Sequence, residues 1–525
     1  MPSGSIRSGR STSRCRPAGR RSASAATARP AWRTSPGSGR ICVRAACAKP
    51  WASESGAAVR WRRNPGRLPL AGSRRSRDAD MTAYSPLSPL SPAGPEPVMG
   101  AVPLLPLQAR LLERQGAAPC NRYLLFELTE ALEPGLLEQA LQALVTQHDA
   151  LRLRFAEEDG VWRQWYGEPD GRHELLWLRA ADDEAGIAAL AAEVQRGLDP
   201  RSGPLLRACR LSRAGRADRL LLVVHQLVAD GLSWRWLLED LLAAYRQLAT
   251  GRCVALPAKS ASFKAWAERL HDWAAGPARA QRAFWRAQER ACSQLPLLSR
   301  EPACEGQRRH LELILPADFS RELLQAARQA YRLRADEVLL TALSRVLCAW
   351  SEQCCVCLHL QGYGRMPLFD DLDPDRTVGW LSSLYPLRLQ PAADLPGSLE
   401  AIREQLRAVD DGGLAYGLLC RRGELAGVAP QVLFDYREPD EDEGTGPLRL
   451  LDAGLWREAD APLDAPLCIA AGQRGDALYL RFDFSSSQWQ RPTLEGLLQR
   501  LQDELRAIRA HCAHASGSLS PRRRA

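Results

Sequence analysis

The sequence predicts an α/β fold built as two successive halves of about 200 residues each. Three observations carry this. Short continuous apolar runs of strand length, such as RLLLVV (219–224), LELILP (311–316) and CVCLHL (355–360), recur along the chain. Between them lie longer stretches whose apolar residues return every three or four positions, the spacing of one helix face. The same mixture appears on both sides of residues 290–310, so an N-terminal lobe (99–300) and a C-terminal lobe (301–512) are expected.

Taken in order, residues 1–80 hold 18 lysines and arginines against 3 acidic residues and show no sustained period, so a disordered basic segment is expected. Acid-poor, Arg-rich composition is shared by organelle transit peptides. The simpler expectation is a mis-assigned start, with Met81 the better one. Residues 81–98 contain SPLSPLSPAGPEPV, whose spaced prolines favour an extended linker. In PGLLEQALQALVTQHDALRLRF (134–155), Leu136, Leu137, Ala140, Leu141 and Leu144 share a helical face before a short strand. RLLLVV reads as a buried strand. It runs into HQLVADGLSW (225–234), and beyond Gly231 the residues Trp234, Leu237, Leu238, Leu241, Tyr245 and Leu248 repeat at helical spacing. This stretch is therefore a strand-to-helix junction. The second half repeats the mixture: a strand at 311–316, a helix from near Asp318, a helix at 336–350, a strand at 355–360, and late strands around QVLFDY and ALYLRFDFS. The acidic loop 435–444 and the tail 513–525 are expected to be solvated.

Composition excludes several classes of function. The 525 residues carry a net charge of +9, but residues 81–525 have 52 basic against 58 acidic side chains, a balance of −6. A mildly acidic body does not suit nucleic acid. No apolar run approaches the roughly 18 residues of a membrane span. The 15 cysteines include no pair of CxxC clusters at zinc spacing, so no metal is expected. Cys354, Cys355 and Cys357 read as buried, reduced thiols in a strand. With no hydrophobic signal core, a cytoplasmic location is expected.

HQLVADGLSW resembles the HHxxxDG motif of the condensation and epimerization domains of nonribosomal peptide synthetases. The phrases VPLLPLQ (102–108), HDALRLRF (148–155), SFKAWAERL (262–270), DEVLLTAL (336–343), QGYGRMPLFDD (361–371), RTVGWLSSLYPLRL (376–389), GGLAYGLL (412–419) and VLFDYRE (432–438) agree with it in order and spacing. RTVGWLSSLYP and QGYGRMP resemble the epimerization branch most, which has RTVGWFTxxYP and EGHGRE. The resemblance implies two chloramphenicol-acetyltransferase-like lobes in a V-shaped pseudo-dimer. A tunnel between them would receive thioesters on the 4′-phosphopantetheine arm of a peptidyl or aminoacyl carrier protein, with no cofactor bound by the chain itself.

In epimerization relatives the second histidine of HHxxxDG and the first glutamate of EGHGRE exchange the aminoacyl α-proton. Those positions here are Gln226 and Gln361. Positioned acids and bases contribute roughly 10²- to 10⁴-fold each, and a neutral amide has no proton equilibrium near pH 7. The chemistry is therefore expected to be lost. His225 takes the place of the first motif histidine, which supports the loop. Asp230 and Gly231 suit a tight turn at a helix start, with Arg365 of GYGR as the expected partner of Asp230. His359, on the same strand face as Gln361, is a candidate displaced base. Ser233, Tyr363, Trp380, Tyr385 and Tyr416 fall at tunnel or substrate positions, the aromatic ones being equally explicable as core, and Gly413 and Gly417 read as turn glycines. With no phosphate loop and no GGxS-like attachment serine, the substrate is expected on a separate protein. Three readings follow: an epimerization-like protein with lost proton transfer, a non-catalytic docking module for a carrier domain or an enzyme, and an active amide-forming enzyme built around His225 or His359.

Overall fold

The computed structural model describes residues 98–168, 173–290, 294–409, 411–437 and 446–518. The basic segment 1–80 and residues 81–97 of the linker lie outside these, as do 438–444 of the acidic loop and 519–525 of the tail.

The first half runs β1 (Ala101–Val102), α1 (Pro106–Gln115), β2 (Cys120–Leu128), α2 (Pro134–Gln147), β3 (Leu153–Glu158), β4 (Val161–Tyr166), β5 (Leu176–Ala180), α3 (Glu184–Arg196), β6 (Leu206–Ser212), β7 (Arg219–His225), α4 (Gly231–Ala249), α5 (Phe263–Ala275) and α6 (Arg282–Arg290). The second runs β8 (Arg308–Ile314), α7 (Ala317–Tyr331), α8 (Ala335–Ser351), β9 (Val356–Gly362), β10 (Ser383–Leu389), α9 (Leu395–Arg407), α10 (Leu414–Arg421), β11 (Val432–Arg437), β12 (Leu448–Arg457), β13 (Leu467–Arg474), β14 (Ala477–Ser485) and α11 (Arg491–Ser518). The terminal helix thus continues past Ala513, where a solvated tail was expected.

Among the described residues the strands form three sheets: β1-β4-β3, β12-β2-β7-β6-β5 in the N-terminal lobe, and β10-β9-β11-β13-β14-β8 in the C-terminal lobe. The continuous apolar run of β7 has a direct cause. Its alternate residues Leu220, Leu222 and Val224 join the main N-lobe core, while Leu221 and Val223 join a smaller core under α3. Both faces of the strand are covered, so no polar alternation survives. Helix α2 starts where Glu133 accepts from the Gly135 and Leu136 amides with Pro134 in the first turn, and it buries Leu137, Ala140, Leu141 and Leu144.

Three differences from the sequence reading have physical reasons. The hand-over between cores comes before residue 290: Ala274 packs in the N-lobe core, whereas Ala278 and Trp285 already belong to the C-lobe core. The fully buried Trp285, with Phe284 packed partly buried on the same core, anchors α6 to the second lobe. Next, β12 leaves the C-lobe to pair antiparallel with β2 as an edge strand of the N-lobe sheet, from Leu448↔Leu128 to Arg457↔Cys120. Finally, Cys354 is exposed and Cys357 is disulfide-bonded, so the expectation of three buried reduced thiols is corrected. The strand begins only at Val356, and its alternation buries Val356 and Leu358 rather than Cys357.

Candidate functional site

Strand β7 ends at His225, a single 3-10 turn takes Gln226–Val228, and α4 starts at Gly231 with Asp230 as its cap. The Asp230 carboxylate accepts from the Ser233 amide at 2.9 Å, a donor the first helical turn would otherwise leave unpaired. Asp230 is 1% exposed. A carboxylate so deeply enclosed requires a counter-charge, and Arg365 supplies it through a two-pronged pair at 2.8 and 3.0 Å. Burial alone would push the Asp230 carboxyl up, but the Arg365 charge and the hydrogen bonds from Arg365 and Ser233 outweigh it and hold the group below the usual carboxylate range.

This pair joins the two halves of the chain. Arg365 also donates to the Thr377 carbonyl (2.8 Å), and the Leu381 amide donates to Asp230 Oδ2 (3.0 Å). Ser233 is fully buried: its proton lies between Asp230 Oδ1 (2.8 Å) and the Gly379 carbonyl (3.0 Å), and its oxygen accepts from the Gly379 amide (3.1 Å). Ser233 was expected to face substrate, and its hydroxyl is instead consumed within this lock. Residues 377–381 are thereby clamped against the N-lobe. Gly379 is needed there because a Cβ would lie 2.4 Å from the Phe263 ring.

Gln226 is buried, and its Oε1 accepts from Arg122 Nε on β2 at 2.7 Å. This bond fixes the amide orientation, with Nε2 turned away from Arg122. His225 is 0% exposed, and its Nδ1 accepts from the Leu227 amide at 3.2 Å, which places the proton on Nε2. Burial pulls its pKa down to about 4, so the ring is neutral. His359 is likewise enclosed, donates from Nε2 to the Val428 carbonyl at 3.0 Å and is pulled down to about 4 by burial. The candidate displaced base is therefore a neutral ring tied to backbone. Gln361 lies on β9, partly exposed, opposite Leu384 of β10.

The aromatic candidates divide. Tyr385 and Tyr416 are packed into the C-lobe core on Trp285, with ring centroids 5.6 and 5.4 Å from it. The Tyr416 hydroxyl donates to Glu289 at 3.1 Å and accepts from the Val428 amide at 3.1 Å. Trp380 packs partly buried on the N-lobe core. Tyr363 is half exposed and donates to the Tyr436 carbonyl at 3.2 Å. Two polar residues escaped the sequence reading, Arg122 on β2 and Asp435 on β11. Burial and the Arg437 charge pull the Arg122 pKa down, while Asp435 and Asp230 act in the opposite sense, so charges of both lobes meet at this side chain. The sequence signal was one cation directly before the run YLLF in CNRYLLFEL. Among the described residues, no cluster of His, Cys, Asp or Glu could hold a metal ion.

A family profile described as Condensation domain matches residues 98–522. The chain belongs to the condensation-domain family. This family member is 35% identical over 455 residues to a linear gramicidin synthase of Brevibacillus parabrevis, a match covering 81% of the chain and 9% of that relative. To surfactin synthase subunit 2 of Bacillus subtilis (strain 168) it is 30% identical over 455 residues, covering 82% and 13%. The chain thus spans about a tenth of the length of these relatives. Among solved structures, the epimerization domain from the third module of tyrocidine synthetase B matches with a TM-score of 0.73 and 27% identity, over 79% of this chain and 98% of that one. The X-domain from teicoplanin biosynthesis matches in fold, with a TM-score of 0.62 and 22% identity over 81% and 97%. The condensation-family fold is the chloramphenicol-acetyltransferase-like one expected from the sequence.

Proposed function

We propose that this chain serves nonribosomal peptide biosynthesis as an epimerization-like protein. It receives aminoacyl or peptidyl thioesters, presented on the 4′-phosphopantetheine arm of a partner carrier protein, in a tunnel between its lobes, and no longer exchanges their α-proton. The observation that carries this reading is the pairing of Gln226 with Arg122 beside an intact Asp230–Arg365 lock. The scaffold that would hold a proton-transfer site is kept, while an amide stands where a base is required. Gln361 leaves the second position equally unable to titrate. The two histidines do not restore the chemistry, since both rings are enclosed and burial leaves them only weakly basic, at about 4. An amide-forming enzyme built on either of them is therefore disfavoured.

The test supplies a carrier protein loaded with an L-aminoacyl thioester and follows deuterium wash-in at the α-carbon. Exchange at the background rate is expected, with gain of exchange in the combined Gln226→His and Gln361→Glu variant. Rapid exchange by the parent chain would overturn the reading. A second reading, a docking module for a carrier domain or an enzyme, rests on the same blunted site with an intact scaffold. Its mark is micromolar binding of a phosphopantetheinylated carrier without turnover, and absence of any binding removes it.

A further inference from the structure

Arg122, bonded to Gln226, feels one other guanidinium, Arg437, and two carboxylates, Asp435 and Asp230. Arg365 is matched to Asp230 at 2.8 Å and Arg437 to Asp435 at 3.1 Å. That leaves Arg122, whose charge acts on both carboxylates and on Arg437 without an ion pair of its own among the described residues. Its Nε–H is used by Gln226 Oε1. The two terminal nitrogens of its fork meet no acceptor among the described residues. The nearby Cys120 thiol offers no counter-charge, because burial pushes its pKa up and keeps it neutral. The amide orientation imposed on Gln226 also turns the Nε2 donors of that residue away from Arg122. Among the described residues, the side chains at this point are therefore rich in donors and leave the Arg122 charge without an ion pair.

We propose that Arg122 makes this place a carboxylate-recognition site, so that the preferred cargo is an acyl thioester bearing a second, free carboxylate. The proposal rests on the carrier-thioester reading for the identity of the cargo. A guanidinium stays protonated at any physiological pH and presents parallel N–H groups that match a carboxylate with two hydrogen bonds. A partly buried cation without a counter-ion is unfavourable, and an arriving anion relieves that state. A phosphate also fits such a fork. In a tethered substrate, however, the phosphate sits at the opposite end of the arm from the thioester, so the group brought to Gln226 belongs to the acyl portion.

Calorimetric titration of the full chain with succinyl-pantetheine and with butanoyl-pantetheine, which lacks the free carboxylate, tests this. Succinyl-pantetheine is expected to bind roughly 10- to 100-fold tighter, the range of a charge-assisted pair. Arg122→Gln is expected to erase the ratio between the two compounds, and Arg122→Lys to keep part of it as a point charge. Melting temperatures of both variants report that the fold is retained. Equal affinity of the parent chain for the two thioesters, or a preference that survives Arg122→Gln, overturns the site and leaves the thioester reading standing. Free succinate binding in an Arg122-dependent way while neither thioester binds would sink the thioester reading and keep the carboxylate site. Tighter binding of inorganic phosphate than of succinate would refute the carboxylate assignment.

Discussion

At the scale of single residues, the buried titratable groups near the site make stability depend on pH in a defined direction. His225 and His359 are both pulled down to about 4, below the usual value near 6.5. Because the folded state disfavours their protonation, their contribution is fully present above pH 6.5 and is lost as pH falls towards 4. Within that window each ring adds a slope of roughly 1.4 kcal/mol per pH unit. Denaturant midpoints measured between pH 7.5 and pH 4.5 should fall accordingly, and His225→Gln and His359→Gln should each flatten the curve; a flat profile in the parent chain would contradict this. Asp230 obeys the same sign at lower pH, since its depressed pKa gives stability that persists until the carboxylate itself is protonated. Removing either partner of the Asp230–Arg365 pair strands a buried charge, at about 3–5 kcal/mol. Asp230→Ala and Arg365→Met alone should therefore each destabilise strongly, and the double variant by less than their sum. Additive losses would show that the pair is not the unit described above.

Secondary elements were readable wherever one local period dominates. The second-half helix expected at 336–350 occupies Ala335–Ser351, and the strand expected at 355–360 occupies Val356–Gly362. The Asp-Gly junction was legible for the same reason, because a helix cap is a short-range device that needs only Asp230 and the Ser233 amide. What stayed hidden is whatever depends on a partner distant in sequence. Arg122 is an ordinary strand residue until β2 is laid beside β7, in the register that pairs Asn121 with His225. Ser233 looked available until Gly379 closed over it. The loop carrying Arg365 also depends on such a contact. Gly364 has φ near +73°, and a Cβ there would lie 1.7 Å from the Leu381 carbonyl oxygen, which no side-chain rotation relieves. Gly364→Ala is accordingly expected to displace Arg365 from Asp230 and to lower the melting temperature at least as much as Arg365→Met. A variant as stable as the parent would mean that the loop can move without loosening the lock.

The described residues of the two halves are tied together by a device that no local pattern announces. LRLLDAGLWR looks like a broken run, with Asp452 and Gly454 interrupting its apolar residues, and it lies in the second half of the sequence. It nevertheless forms the edge of the N-lobe sheet through nine residue pairs with β2, with a bulge between Leu450 and Asp452. Its last residue, Arg457, is buried among the Cys120 thiol (3.2 Å), the Asp464 carboxylate (2.8 Å) and the Pro462 carbonyl (3.3 Å). Val378, Leu381, Leu414, Leu418 and Leu448 add second-half side chains to the N-lobe core. The N-lobe core is therefore incomplete without side chains that follow residue 300 by more than 70 positions. A fragment of residues 98–300 is expected to expose the β2 edge and the apolar surface those residues cover, and so to aggregate or be digested rapidly. Co-expression with 301–518 should restore a protease-resistant assembly, because the crossing strand can pair from a separate chain. The comparison is limited proteolysis of the fragment alone, the co-expressed pair and the intact chain. A protease-resistant, cooperatively melting 98–300 fragment would mean that the crossing strand is an accessory rather than part of the sheet on which the Gln226 junction is built.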